Sequence, residues 1–180
     1  LGLTWQLYRF IGNDGLLSWV YEAPEAIHAL MEYMTQDRLR QFGYLESEGL
    51  IVPNTDNALA GPRAYGYCSD LPAPDAAPGT LGDLWCWAES QETVGVGPKQ
   101  FDEFVLEYQI PLMNRFGLVD YGCCESLNYK LDLLIEKVPH LRWVAVAPWA
   151  NRKMCAEKIG DKYVYVYKPN PSRLCAPEAE

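Results

Sequence analysis

Two histidines, no apolar run near the length of a membrane span and no excess of positive charge set the first limits on this chain. Its 180 residues carry 15 Lys and Arg against 24 Asp and Glu, a net charge of −9. Phosphate neutralisation needs a basic surface, so nucleic acid and anionic membrane are not expected as partners. A bilayer-spanning helix needs roughly 20 apolar residues, and no such run occurs; nor does a basic-then-apolar leader open the sequence. Gly-x-Gly-x-x-Gly and a phosphate loop are both missing, which weakens a dinucleotide- or nucleotide-binding reading.

What is present points to a folded domain. Hydrophobic residues make up 49% of the chain, enough for one core over 1–180. Six cysteines (68, 86, 123, 124, 155 and 175) are scattered through it. A chain this rich in apolar residues does not need disulfide staples, so free thiols and a reducing, cytoplasmic compartment are expected. Leu1 opens the sequence in the middle of an apolar pattern, which reads as a piece of a longer protein.

The order of elements reads as alternating strand and helix. Leu3–Ile11 fits a strand or a buried helix edge, and Gly12-Asn-Asp-Gly15 a turn. Pro24 and Glu25 suit the first turn of a helix, whose buried face is Ile27, Leu30, Met31, Met34, Leu39 and Phe42. Leu50-Ile-Val52 predicts a short buried strand. Residues 57–82 form a long irregular loop, a feature that is often functional. Further strands are expected at 83–91, at Leu118-Val119, at 141–147 and at 162–168, with helices from Pro98, after Cys124 and from Arg152 to Ile159. Six strand–helix units predict parallel strands with helical crossovers. The fold class expected is α/β, of the (β/α)8 barrel type with the barrel incomplete; an open doubly wound sheet is the alternative.

Polar residues gather just after the strands, where α/β proteins bind ligands. Asn54, Glu89, Gln91, Cys123, Cys124, Glu125, Trp149, Lys168 and Asn170 would all face one mouth. The most unusual stretch is the corner Tyr121-Gly-Cys-Cys-Glu125. It admits three readings: a zinc site formed by Cys123 or Cys124 with Glu89 or Glu92 and Cys175, a reactive thiol activated by the following helix N-terminus, or two small buried hydrophobes. Adjacent residues on an extended strand point apart, so one cysteine of the pair is expected to ligate. His28 reads as a helix-face residue and His140 lies at the wrong end of its strand.

Pro24-Glu-Ala-Ile-His28-Ala-Leu, Gly97-Pro98-Lys-Gln-Phe101-Asp-Glu-Phe104 and Tyr121-Gly-Cys-Cys124, in that order, resemble the C-terminal two thirds of the uroporphyrinogen decarboxylase superfamily. Trp87-Ala-Glu-Ser-Gln-Glu92, Tyr121–Glu125 and Lys168-Pro-Asn-Pro171 are most similar to its methyltransferase-like branch. The resemblance covers most of residues 20–171. It implies a (β/α)8 barrel and transfer of a methyl group between a corrinoid protein and a small acceptor. It implies Cys123, Cys124 and Glu89 as catalytic or zinc-binding residues. It also implies Asn54, Gln91, Tyr121, Glu125, Trp149, Lys168 and Asn170 as substrate contacts. Tyr121 stands where the zinc enzymes of the family carry the histidine of His-x-Cys. Decarboxylation of a tetrapyrrole polycarboxylate is the second activity the resemblance allows, but it needs basic side chains at the mouth, where Lys168 and Arg173 are the candidates. A third expectation is a non-catalytic barrel piece whose open strand edges pair in a homo-oligomer.

Overall fold

The computed structural model describes residues 1–61, 64–76 and 79–175, the side chains of Arg173 and Leu174 excepted. Four strands form one all-parallel sheet in the order β1-β2-β3-β4: β1 (Trp85–Ala88), β2 (Leu118–Tyr121), β3 (Leu141–Val146) and β4 (Val164–Tyr167). Two long helices precede the sheet, α1 (Leu3–Glu22) and α2 (Pro24–Ser47). Between β1 and β2 run α3 (Pro98–Phe101), a π-helical turn (Asp102–Leu106) and α4 (Glu107–Met113). The helix α5 (Leu131–Lys137) links β2 to β3, and α6 (Arg152–Ile159) links β3 to β4.

The two faces of the sheet are covered differently. Alternate residues Cys86, Ala88, Val119, Tyr121, Val144 and Val146 join one large core with residues from all six helices. The intervening residues Trp85, Leu118, Trp143 and Val166 pack instead against Ala60, Ala64, Cys68 and Leu71 of the long loop. Period-two alternation thus sorts each strand between a helical layer and a loop layer. On the loop side the Trp85 and Trp143 rings lie 4.2 Å apart. The loop is held by Thr55, whose hydroxyl donates to Pro72 O at 2.8 Å, and by a bridge between Leu59 and Tyr65. Gly61 backs onto Trp87 and the fully buried Asp120; a Cβ there would fall 2.8 Å from Asp120 Oδ2.

Leu50-Ile-Val52 is not a strand, and Leu3–Ile11 takes the helical one of its two readings. Residues 3–11 are helical. Leu3 and Leu7 are buried one turn apart while Trp5 and Phe10 are exposed, a helical spacing rather than an alternation. The predicted turn does exist inside α1: Gly12 has φ 71°, ψ 177° and kinks the helix there. At 50–52 only Ile51 is buried; Leu50 and Val52 are exposed, and Pro53 offers no N–H to a ladder. Four strands, not six, therefore make the sheet among the described residues, and the helix after Cys124 begins only at Leu131.

Candidate functional site

The corner after β2 is shaped by one glycine and one carboxylate. Gly122 has φ 105°, a left-handed conformation that turns the chain sharply off the strand. Its carbonyl accepts from Trp87 Nε1 at 2.9 Å. Glu125 is buried, and both its oxygens accept backbone N–H bonds: Oε1 from Ser90 at 3.0 Å and Oε2 from Cys123 at 2.7 Å. One carboxylate thus ties the end of β1 to the turn after β2. Sequence reasoning placed Glu125 among substrate contacts; its oxygens are instead committed to holding the corner.

Because the cysteines sit on this turn and not on an extended strand, they do not point apart. Cys123 Sγ and Cys124 Sγ converge to 3.7 Å. Lys168, from the end of β4, places Nζ 3.4 Å from Cys124 Sγ. Trp149, exposed after β3, donates from Nε1 to Cys124 O at 2.7 Å. Three strand ends therefore deliver Cys123, Cys124, Trp149 and Lys168 to one place, as the alternating pattern anticipated. Burial, then the contact with Cys124, pushes the Cys123 thiol up to about 11, with Lys168 pulling the other way. The reactive-thiol reading relied on a helix N-terminus at the corner. With α5 starting at Leu131 that dipole is absent, and Cys123 stays a thiol at neutral pH.

Other expected site residues lie elsewhere. Asn54 sits at the opposite end of the sheet: Nδ2 donates to Trp85 O at 3.0 Å and Oδ1 accepts from Trp85 N at 2.8 Å, so the amide stands in for a neighbouring strand at the start of β1. Tyr121 is fully buried on the helix side, and its hydroxyl donates to Gln109 Oε1 at 2.6 Å. Burial raises its pKa well above the usual phenol range. The Ser90 hydroxyl lies beside that phenol, outside good hydrogen-bonding geometry. Gln109 Nε2 also holds Glu89 O at 2.7 Å.

The Glu89 carboxylate is turned under α1, where Oε2 accepts from Gln91 N at 2.8 Å and a Cβ on Gly2 would lie 3.5 Å from Oε1. It is not joined to the cysteine pair. Burial, with Glu92 and Glu125 nearby, pushes it up to about 7. Glu92 accepts from Thr4 Oγ1 at 2.7 Å. The Gln91 side chain is exposed, and Asn170 turns its Oδ1 back on Ser172. His28 bonds the Tyr108 hydroxyl at 2.7 Å, a contact between helices, in keeping with its helix-face reading.

One residue was missed. Lys130 is buried, with Nζ 2.7 Å from Thr93 O and 4.4 Å from the Phe101 ring centre, and burial lowers its pKa to about 8. Nothing in the local sequence distinguishes it from a solvated lysine; only the fold brings the loop after β1 over it.

Among the described residues no group of three or more His, Cys, Asp or Glu is placed to hold a metal ion. The pair itself has a suitable bite. A Zn–S bond of about 2.3 Å at tetrahedral angles puts two sulfurs about 3.8 Å apart, against 3.7 Å here. Cys123 and Cys124 thus fit two positions of a thiophilic ion, while Glu89 does not fit a third. Cys175 is exposed, at the end of the short helical turn Pro171–Cys175 after β4. No family model, curated protein or solved structure matches the chain. No helix among the described residues is long and apolar enough to cross a membrane.

Proposed function

We propose that this chain is part of a singly wound (β/α)8 barrel of the uroporphyrinogen decarboxylase superfamily. In this reading it belongs to the methyltransferase-like branch and moves a methyl group between a corrinoid protein and a small acceptor. The observation that carries the reading is the convergence of two thiols, 3.7 Å apart, at the C-terminal end of a parallel sheet. The sequential strand order, with all six helices contributing to the core on one face, supports a singly wound sheet over a doubly wound one.

Cys123 and Cys124 would hold a zinc ion that lowers the pKa of an acceptor thiol. Lys168 places a positive charge 3.4 Å from Cys124 Sγ and opposes the burial that holds the Cys123 thiol up. The exposed Trp149 ring offers a flat wall to the incoming group. A corrinoid bound to a partner would supply the methyl group, and Cys123 and Cys124 would hold the zinc ion beside which the acceptor thiol is placed. A reducing, cytoplasmic location suits an unpaired dithiol. The decarboxylase alternative is less well supplied: among the described residues Lys168 brings a basic group to the corner, and the Arg173 side chain lies outside them.

Zinc titration against a chromophoric chelator tests the reading. One equivalent should bind with release of protons, since ligation must deprotonate a thiol held near 11. Cys123→Ser and Cys124→Ser should each lose at least tenfold in affinity. Binding that survives the double variant would remove the corner from the proposal. Loss of methylcobalamin absorbance in the presence of a small thiol then tests transfer itself.

A second reading is favoured by β4, which has no strand on its outer side among the described residues and leaves Val164 47% exposed. An open edge of this kind pairs readily with a second copy of the chain. Light scattering should then give a dimer that Val164→Lys dissociates; a wild-type monomer at high concentration refutes it.

A further inference from the structure

Away from the cysteine corner, α1 and α2 leave a groove of about 580 Å³ between them. That is within the roughly 300–1,000 Å³ range of small-molecule sites. Its walls are Trp5, Arg9 and Phe10 from α1 and Tyr33, Met34 and Arg38 from α2. The aromatic rings are unusually open for their size: Trp5 is 49% exposed, Tyr33 66% and Phe10 69%. Burial would hide such rings if they served only the core, and Met34 beneath them is already buried.

The charges in the groove run against the chain as a whole. The net charge is −9, yet both walls carry an arginine. Arg9 lies 6.0 Å over the Trp5 ring, and neither Arg9 nor Arg38 pairs with a carboxylate among the described residues. The acidic member of the lining, Asp37, is already occupied by Arg40 at 3.1 Å and Gln41 at 3.0 Å. Flat apolar walls call for a flat apolar ligand, and guanidinium groups pair with carboxylates by paired N–H bonds.

We infer that this groove is a binding site for a planar aromatic carboxylate, with the ring system between Trp5, Phe10 and Tyr33 and the carboxylate between Arg9 and Arg38. The site does not depend on the methyl-transfer reading, because no residue is shared with the cysteine corner.

2-Naphthoate is a suitable probe, with the cation 2-naphthylmethylammonium as its control. Binding would be followed by amide shifts in ¹H–¹⁵N spectra, which locate it, with circular dichroism checking that each variant is folded. Naphthoate should bind saturably at one site, shift residues 5–10 and 33–38, and weaken at least tenfold in the Arg9→Gln, Arg38→Gln double variant. Trp5→Leu should weaken it comparably. Equal affinity for the cation, shifts centred on other residues, unchanged affinity in the arginine variant, or closure of the groove by self-association would each overturn the assignment.

Discussion

Glu125 offers the sharpest test of how the corner is built. Removing its carboxylate by Glu125→Ala leaves two backbone N–H groups, of Ser90 and Cys123, without their acceptor. Glu125 is 2% exposed, so water does not replace it easily. Each abandoned buried donor costs about 1–3 kcal/mol, so the two together should cost about 2–6 kcal/mol, with the lower half applying if the turn relaxes to admit water. Glu125→Gln keeps one carbonyl acceptor and turns an NH₂ toward the other donor. It should therefore lose about half as much, roughly 1–3 kcal/mol. Urea unfolding followed by circular dichroism gives both values from midpoints at constant slope. The amide protons of Ser90 and Cys123 should move upfield together in the alanine variant and unequally in the glutamine variant. A loss under about 1 kcal/mol for alanine, or identical losses for the two variants, would refute the idea that one carboxylate clamps two strand ends.

Two other perturbations follow from the same geometry. Glu89, pushed up to about 7 from an ordinary 4.5, is held protonated by the fold. Its contribution is therefore fully present below the unfolded pKa and is lost as pH rises through about 7. At about 1.4 kcal/mol per unit, reduced for partial water access, the loss is about 2–3 kcal/mol. Glu89→Gln should flatten the melting temperature between pH 5 and 8 and raise it at pH 8, and an unchanged pH profile would count against the buried acid. Asn54→Ala strips both partners from the buried Trp85 backbone and should cost about 2–4 kcal/mol in thermal unfolding. An effect no larger than that of an exposed asparagine would show that the start of β1 needs no cap.

Much of the frame is legible in the chain. Pro24 and Glu25 mark a helix start that holds, because a ring with fixed φ and an acid at the positive end act within one turn. Asn151 and Gly160 bracket α6 for equally local reasons: the Asn151 side chain accepts from Met154 N at 3.1 Å, and Gly160 takes φ 57°. The strands expected at 83–91, Leu118-Val119, 141–147 and 162–168 are present, with bounds 85–88, 118–121, 141–146 and 164–167. The strand ends were also placed well enough to bring Cys123, Cys124, Trp149 and Lys168 together. Leu3–Ile11 was ambiguous because a short apolar run has both periods until it is known which residues face water.

Charge, apolar content, element order and the position of a dithiol after a strand were determined by sequence, since each depends on neighbours within a turn or a ladder. Tertiary structure decided what those groups touch. It put Asn54 against Trp85 across 31 residues and Tyr121 against Gln109. It folded Glu89 under α1 and buried Lys130 beside Thr93. It also brought two sulfurs together by a left-handed glycine and a carboxylate that bonds Ser90, 35 residues away. Those are contacts between segments distant in the chain, and they are set by how the sheet orders its strands and by which face each layer covers, neither of which a local pattern encodes.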